Sequence, residues 1–291
     1  MKTIPSSELI INTDGSVFHL HLRPEEMAGR IVLVGDPARV DLVAEYFDDV
    51  ECRRASREFV SVTGTFNGKR LTVLSHGIGT DNIDIVMTEL DALANIDFTT
   101  RRIKPEKTKL CLVRLGTSGA LQPDLRIGDL VLAETSVGFD GLLNFYAGSD
   151  AVCDLSMEET FMRHMEWNPR LANPYFIHSS RYLNSLFEDF TTPGITVSAP
   201  GFYGPQGRVV RLGLTDPDLN AKLEAFRYED RRITNYEMES SALAGLAALL
   251  GHEATTICTV IAQRVNEESD PDYQPYIRRM VELALDKLTG F

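Results

Sequence analysis

The sequence predicts an α/β protein, a single domain with a mixed central sheet flanked by helices. Three observations predict it. Short apolar runs alternate along the chain with segments of helical period. The pair Asn67-Gly68 sits between two of those runs and marks an antiparallel hairpin inside a partly parallel order. No repeat, linker or low-complexity tract divides the 291 residues. Residues 1–291 therefore read as one domain, with residues 139–175 as an insertion or lid.

The elements follow in order. Residues 1–16 read as a polar leader that lacks the apolar stretch of a signal peptide. Ile31–Val34 is an apolar strand ending at Gly35. Asp36-Pro37 then supplies an N-cap and a first-turn proline, and Val40, Val43, Ala44 and Phe47 repeat with helical spacing. Phe59–Phe66 and Arg70–Leu74 are the two hairpin strands. Ile83, Val86, Met87, Leu90 and Ala94 share one face of a helix starting near Asp81. Leu110–Leu115 and Leu130–Ala133 read as buried strands. Residues 139–175 read as irregular and aromatic, with the only tryptophan, Trp167, next to Asn168-Pro169. Strand Ile195–Ser198, helix Met238–Leu250 stopped by Gly251, and strand Thr255–Ala262 follow. A last helix carries Ile277, Met280, Val281, Ala284, Leu285 and Leu288.

Composition narrows the function. Hydrophobic residues make up 43% and charged residues 24%, as in ordinary globular chains, which excludes a disordered or fibrous protein. The 29 Lys+Arg against 42 Asp+Glu give −13, a balance that repels nucleic-acid backbones. An anionic ligand must then meet a few arginines focused in one site. No apolar run approaches membrane-spanning length, and the longest, Leu243–Leu250, falls far short. Cys52, Cys111, Cys153 and Cys258 form no CxxC pair. Cys111 and Cys258 fall in apolar runs, as buried reduced thiols do. The expectation is a cytoplasmic protein with no disulfide framework, no zinc and no membrane or nucleic-acid partner.

Three glycine-rich segments read as strand-to-turn junctions: residues 35–39, 76–81 and 114–119. In open α/β sheets ligands gather beyond the carboxyl ends of strands, where glycine lets the backbone approach an anion. None is a Walker loop or a GxGxxG motif, which argues against a nucleoside triphosphate or dinucleotide. Arg114 interrupts an apolar run, where a guanidinium is costly unless paired or part of a site. It reads either as a buried ion pair or as an anion clamp of bidentate geometry, which Arg39 and Arg57 would join. Residues 201–208 place Gln206 and Arg208 two apart in a tight aromatic loop. An amide and a guanidinium there can face a flat heterocycle while Phe202 covers it. Residues 235–240 put Glu237 and Glu239 before an apolar helix. They either complement its dipole or accept from a sugar diol while Met238 packs on the sugar.

Taken together, these segments resemble the nucleoside phosphorylase superfamily, and within it the pyrimidine branch. The likeness runs in order over about residues 16–265. It comprises Val17-Phe18-His19-Leu20, Gly35-Asp36-Pro37 with Arg39, Arg57-Glu58-Phe59, Gly77-Ile78-Gly79, the run Arg114 to Ala120, Phe202-Tyr203 with Gln206 and Arg208, Asn235 to Ser240, and Arg264. The Gln-x-Arg marks the pyrimidine branch. The Asp general acid of the purine enzymes has no counterpart near Arg264.

The resemblance implies a phosphorylase-like fold and reversible phosphorolysis of uridine to uracil and ribose 1-phosphate. It implies that Gly35, Arg39, Arg114 and Thr117 hold phosphate, joined by Arg57 of a neighbouring subunit. Gln206 and Arg208 would bind the uracil edge, with Phe202 on the ring, Ile261 and Ala262 as an apolar wall and Arg264 capping the base side. Glu237, Met238 and Glu239 would bind ribose, and His19 would reach the 5′-hydroxyl across a dimer interface. Arg114, Gln206, Arg208 and Glu239 would carry the catalysis. No cofactor or resident metal is implied beyond phosphate as co-substrate. A homo-oligomer with shared sites is implied, at least a dimer and up to a hexamer. In some members a monovalent cation bridges subunits near a serine and the glutamate matching Glu58. Here Thr80-Asp81-Asn82 replaces the usual small residues and serine, which puts that site in doubt and leaves Asp81 as a candidate N-cap. A shifted preference for thymidine, deoxyuridine or a purine nucleoside, and a non-catalytic nucleoside sensor, stay open as alternatives.

Overall fold

Strand β1 (Arg30–Val34) feeds helix α1 (Pro37–Ala44), and β2 (Asp49–Ser56), β3 (Phe59–Phe66) and β4 (Lys69–Ser75) follow. The structure, a computed structural model, describes residues 3–290; the ends of the 1–16 leader and of the 1–291 domain lie outside it. Asp36 caps α1 by accepting from Ala38 N at 2.9 Å, with Pro37 opening the helix. Asn67 and Gly68 take φ of 51° and 70°, the left-handed pair that a two-residue hairpin turn needs between β3 and β4. Next come α2 (Thr80–Asn95), a small hairpin of β5 (Ile96–Asp97) and β6 (Arg102–Ile103), β7 (Cys111–Ala120) and β8 (Leu130–Gly138). Then follow α3 (Leu155–Met165), β9 (Tyr175–His178), α4 (Arg181–Phe187), β10 (Thr192–Ser198), α5 (Leu219–Ala225), β11 (Arg227–Tyr228) and β12 (Arg231–Glu237). The chain ends with α6 (Ser240–Leu250), β13 (Glu253–Gln263), β14 (Glu268–Ser269) and α7 (Gln274–Thr289).

The described strands other than β5 and β6 form one mixed sheet in the order β11-β12-β10-β8-β13-β7-β1-β4-β3-β2. β1 runs parallel to both β4 and β7, and β13 parallel to β7, while β2, β3 and β4 form an antiparallel flank. β12 also pairs with β7, Asn235 opposite Ala120. Strands β7, β13, β8, β10 and β12 therefore close into a ring. Helices α2 and α6 bury their stripes in one core with Ile31, Leu33 and Leu112. Helices α1, α4 and α7 cover a second core with Val32, Val113 and Ile257. Among the described residues no helix is long and apolar enough to cross a membrane.

Four expectations change. The Arg114 to Gly119 segment is strand, not a turn: β7 continues to Ala120, paired with β13 on one side and β12 on the other. Residues 139–175 hold helix α3, whose Met157, Phe161 and Met165 bury against Phe139, Phe176 and Trp167. The leader is tied down, with Ile4 N donating to Arg101 O at 2.8 Å and Leu9 buried. Cys111 is half-buried rather than buried.

Candidate active site

The carboxyl ends of β1, β4 and β7 meet the start of α6 and the end of β13 around an open cavity of about 1310 Å³. That is room for a nucleoside together with a small anion. Gly35, Arg39, Arg114, Thr117, Phe202, Gln206, Arg208, Glu237, Met238, Glu239, Ile261, Ala262 and Arg264 all line it. These side chains come from segments far apart in sequence, so the sheet topology is what assembles them. No residue of 139–175 lines the cavity.

Arg114 rises from the centre of the sheet and is 4% exposed. Its guanidinium lies over Gly116, where a Cβ would stand 2.7 Å from Nη1 and 2.9 Å from Cys258 Sγ. Nη1 pairs with Glu237 Oε2 at 2.9 Å, Nη2 donates to Glu239, and Nε donates to His76 Nε2 at 3.2 Å. Burial opposes the charge on Arg114, but Glu239 and Glu237 outweigh it and hold the pKa above the ordinary arginine range. Both readings of Arg114 therefore apply at once: it is a buried ion pair and it lines the cavity. Arg39 differs. It is half-buried, and among the described residues its guanidinium donates only to Leu115 O, at 3.1 Å, which leaves most of its donors open. Burial and the neighbouring Arg114 charge lower its pKa. Two guanidiniums in mutual repulsion on a cavity wall favour an anion that neutralises both.

Glu237 is fully engaged. It accepts from Ser198 Oγ at 2.5 Å, Ser240 Oγ at 2.7 Å, and the backbone N–H groups of Glu239 and Ser240 at 2.9 Å. With Arg114 added, five donors from the chain meet this carboxylate, so Glu237 holds the start of α6 and braces Arg114 while it lines the cavity. Glu239 meets fewer donors than Glu237: besides Arg114 it accepts from Gly79 N, at 2.7 Å, and interacts with the Met238 backbone N–H. Half-buried Met238 lies beside it on the cavity wall.

The loop of Gln206 and Arg208 forms a second station. Arg208 Nη1 donates to Gln206 Oε1 at 2.6 Å and to Phe202 O at 2.7 Å, with its guanidinium 3.8 Å from the Phe202 ring centroid. Burial and the nearby Arg264 push its pKa down to about 10. Gln206 is buried, so its amide is held in one orientation by Arg208. Arg264 is fixed through Gln263, whose Nε2 donates to Gln122 O and Leu125 O and whose Oε1 accepts from Val265 N at 2.7 Å.

Two expected residues are not in this cavity. His19 Nδ1 lies 2.7 Å from Glu89 Oε1, and Arg57 is exposed with its guanidinium 6.0 Å from the Phe18 ring centroid. Phe18 and His19 stack edge to face at 4.8 Å, so Arg57 and His19 share one surface patch beside the rim. Asp81 does not cap α2; the N-cap is Gly79, at φ 98°. Asn82 Nδ2 donates to Glu58 Oε1 at 3.3 Å, so that carboxylate is met by this chain's own amide. Sequence reasoning missed Asn220, Tyr236 and Gln263 on the wall and His76 behind it. Only the Gly-rich surroundings of His76 pointed to it.

The model of the phosphorylase superfamily matches residues 30–288. The chain is 30% identical over 271 residues to the uridine phosphorylase of Thermococcus kodakarensis, covering 90% of this chain and 83% of that protein. It is 29% identical over 255 residues to the uridine phosphorylase of Haemophilus influenzae, covering 87% of this chain and 88% of that one. A solved structure of a Trypanosoma brucei nucleoside phosphorylase, described as showing uridine phosphorylase activity, superposes with a TM-score of 0.85. It is 26% identical and covers 97% of this chain and 100% of its own.

Proposed function

The chain belongs to the phosphorylase superfamily, and on that footing we propose that it catalyses the reversible phosphorolysis of uridine to uracil and ribose 1-phosphate. This is a pentosyl transfer with inorganic phosphate as co-substrate. The observation that carries the reading is a single cavity holding two stations, Arg39 with Arg114 and Gln206 with Arg208, with Met238 and Glu239 on the wall they share. A pyrimidine nucleoside and an oxyanion are the pair of ligands that these stations suit.

In this reading Arg39, Arg114, the Gly35 backbone and Thr117 hold phosphate against the anomeric carbon. Glu239 fixes the sugar diol, and Met238 packs on its face. A phosphate oxygen bonds to C1′ as the bond from C1′ to uracil N1 breaks, and the electron pair leaves with the base. Positive charge grows on the sugar, near the Glu239 carboxylate. Negative charge grows on uracil and spreads to its oxygens. Gln206 and Arg208 are preorganised to meet that charge, since Arg208 already fixes the amide. Gln206 Oε1 keeps a lone pair for the base N3–H, while its Nε2 and the remaining Arg208 donors face the carbonyl oxygens. Phe202, Ile261 and Ala262 bound the ring, and Arg264 closes the base side. Holding both reactants in line supplies the rest of the rate.

The same proposal assigns Arg57 and His19 to a neighbouring subunit's site. Their shared patch outside their own cavity supports a homo-oligomer, a dimer at least. Four unpaired cysteines suit a reducing compartment such as the cytoplasm. The test is uracil release from uridine by purified protein at millimolar phosphate. Release that requires phosphate supports the reading. Cleavage of a purine nucleoside with uridine untouched refutes it.

A further inference from the structure

We propose that His76 is a positioning residue that aims the Arg114 guanidinium while adding no charge to the anion station. The inference rests on the reading of Arg39 and Arg114 as phosphate ligands, and it concerns a residue outside the cavity wall. His76 directly follows β4, and its backbone N–H donates to Val34 O at 2.9 Å, which fixes it beside the end of β1. Its side chain is fully buried. Val34 pairs with Ser75 on one side and Leu115 on the other, so His76, Gly35 and Gly116 form the next row across the strand ends. Gly116 in that row leaves the space in which the guanidinium lies, and Gly35 stands beside the imidazole. A Cβ on Gly35 would stand 3.8 Å from His76 Cε1, and one on Gly116 would stand 3.0 Å from Arg114 Cζ.

The donors of Arg114 then sort by partner. Nη1 goes to Glu237 and Cys258, Nη2 to Glu239, and Nε to His76 Nε2 at 3.2 Å. Two of these partners are carboxylates. A third would outnumber the charges of Arg114 and Arg39 and repel phosphate. An apolar side chain would leave a buried Nε–H without an acceptor and free the guanidinium to swing. A neutral imidazole meets both demands. Burial, with Arg114 and Arg39 beside it, pushes the His76 pKa well below the ordinary histidine value. Since Nε2 accepts, the ring proton belongs on Nδ1.

Three variants separate the hydrogen bond from the charge. His76→Gln keeps a neutral acceptor, His76→Leu removes it, and His76→Glu keeps it but adds a charge. The expected KM for phosphate is within about threefold of wild type in H76Q and at least about tenfold higher in H76L and H76E. The KM for uridine stays within about threefold in all three. Unchanged phosphate KM in folded H76L, or equal losses for phosphate and uridine with no rescue in H76Q, overturns the proposal. Calorimetric titration with inorganic phosphate gives the same ranking without turnover. A wild type that binds phosphate but leaves uridine intact would therefore defeat the functional reading and not this one. Should the variants not fold, nitrogen-15 NMR of the wild type decides. A neutral His76 with its proton on Nδ1 from pH 8 to 5 supports the role, and ordinary titration in that range refutes it.

Discussion

Arg114 cannot be removed without leaving Glu237 and Glu239 buried side by side. Arg114→Ala should therefore cost about 3–5 kcal/mol of stability, read by denaturant unfolding, and its lost activity will not isolate a phosphate contact. Arg39 is the cleaner probe because, among the described residues, its guanidinium donates to Leu115 O and to no carboxylate. Arg39→Ala should raise the KM for phosphate at least about tenfold and leave stability within about 1 kcal/mol. An unchanged phosphate KM would remove Arg39 from the station. For the base, Arg208→Ala should lower kcat/KM for uridine by about 10²–10³, and a loss under tenfold would contradict its role. Most of these residues were legible in the sequence because their type conflicts with their setting, as an arginine in an apolar strand does. Their partners were not. Glu239 lies 125 residues from Arg114, and nothing local shows that Glu237 is spent on serines and backbone donors.

Among the elements, those with one buried face and polar caps could be read directly. Asp36-Pro37 and Asn67-Gly68 do in the structure what their chemistry dictates. β7 could not be read to its end. Its Gly116, Thr117, Ser118 and Gly119 look like a loop, yet they are strand because β13 pairs along all of them and β12 takes up the other side at Gly119. α3 carries a helical stripe at Met157, Phe161 and Met165, which its acidic and aromatic surroundings mask. The ring makes a sharp demand at Gly194 in β10. A Cβ there would lie 2.2 Å from Thr234 Cγ2 and 3.1 Å from Thr234 Cβ, on the paired strand β12. Gly194→Ala should destabilise the protein by about 1–3 kcal/mol. Gly29→Ala, with nothing within 4 Å of its Cβ, should stay within about 0.5 kcal/mol. Equal thermal midpoints for the two variants would mean that β10 and β12 are not packed this closely.

The whole molecule carries −13 and yet gathers arginines at one cavity. Acidity of the chain was plain from composition, but the ring closure that concentrates the arginines pairs Asn235 with Ala120 and has no local signature. Two consequences belong to this scale. His76 is held neutral in the fold, while in the unfolded chain it titrates near 6.5. Below that pH the unfolded state takes up a proton that the folded state refuses, so this residue's contribution to stability falls as pH falls. The slope is about 1.4 kcal/mol per pH unit. Unfolding free energies of wild type and H76Q should stay parallel near pH 7.5 and diverge toward that slope below about pH 6, and parallel values down to pH 5 would mean that His76 charges in the fold. The second concerns subunits. If Arg57 serves its neighbour's site, Arg39→Ala and Arg57→Ala proteins, each weakened at low phosphate, should regain activity there when unfolded and refolded together. No recovery, with mixed oligomers present, would return each site to a single chain.

A crystal structure with uridine and sulfate, the sulfate standing for phosphate, tests the two-station cavity most directly. The account predicts sulfate within hydrogen-bond reach of Arg39, Arg114 and Thr117, the uracil edge on Gln206 and Arg208, and the ribose diol on Glu239. Sulfate bound elsewhere, or uracil turned away from Gln206 and Arg208, would contradict it.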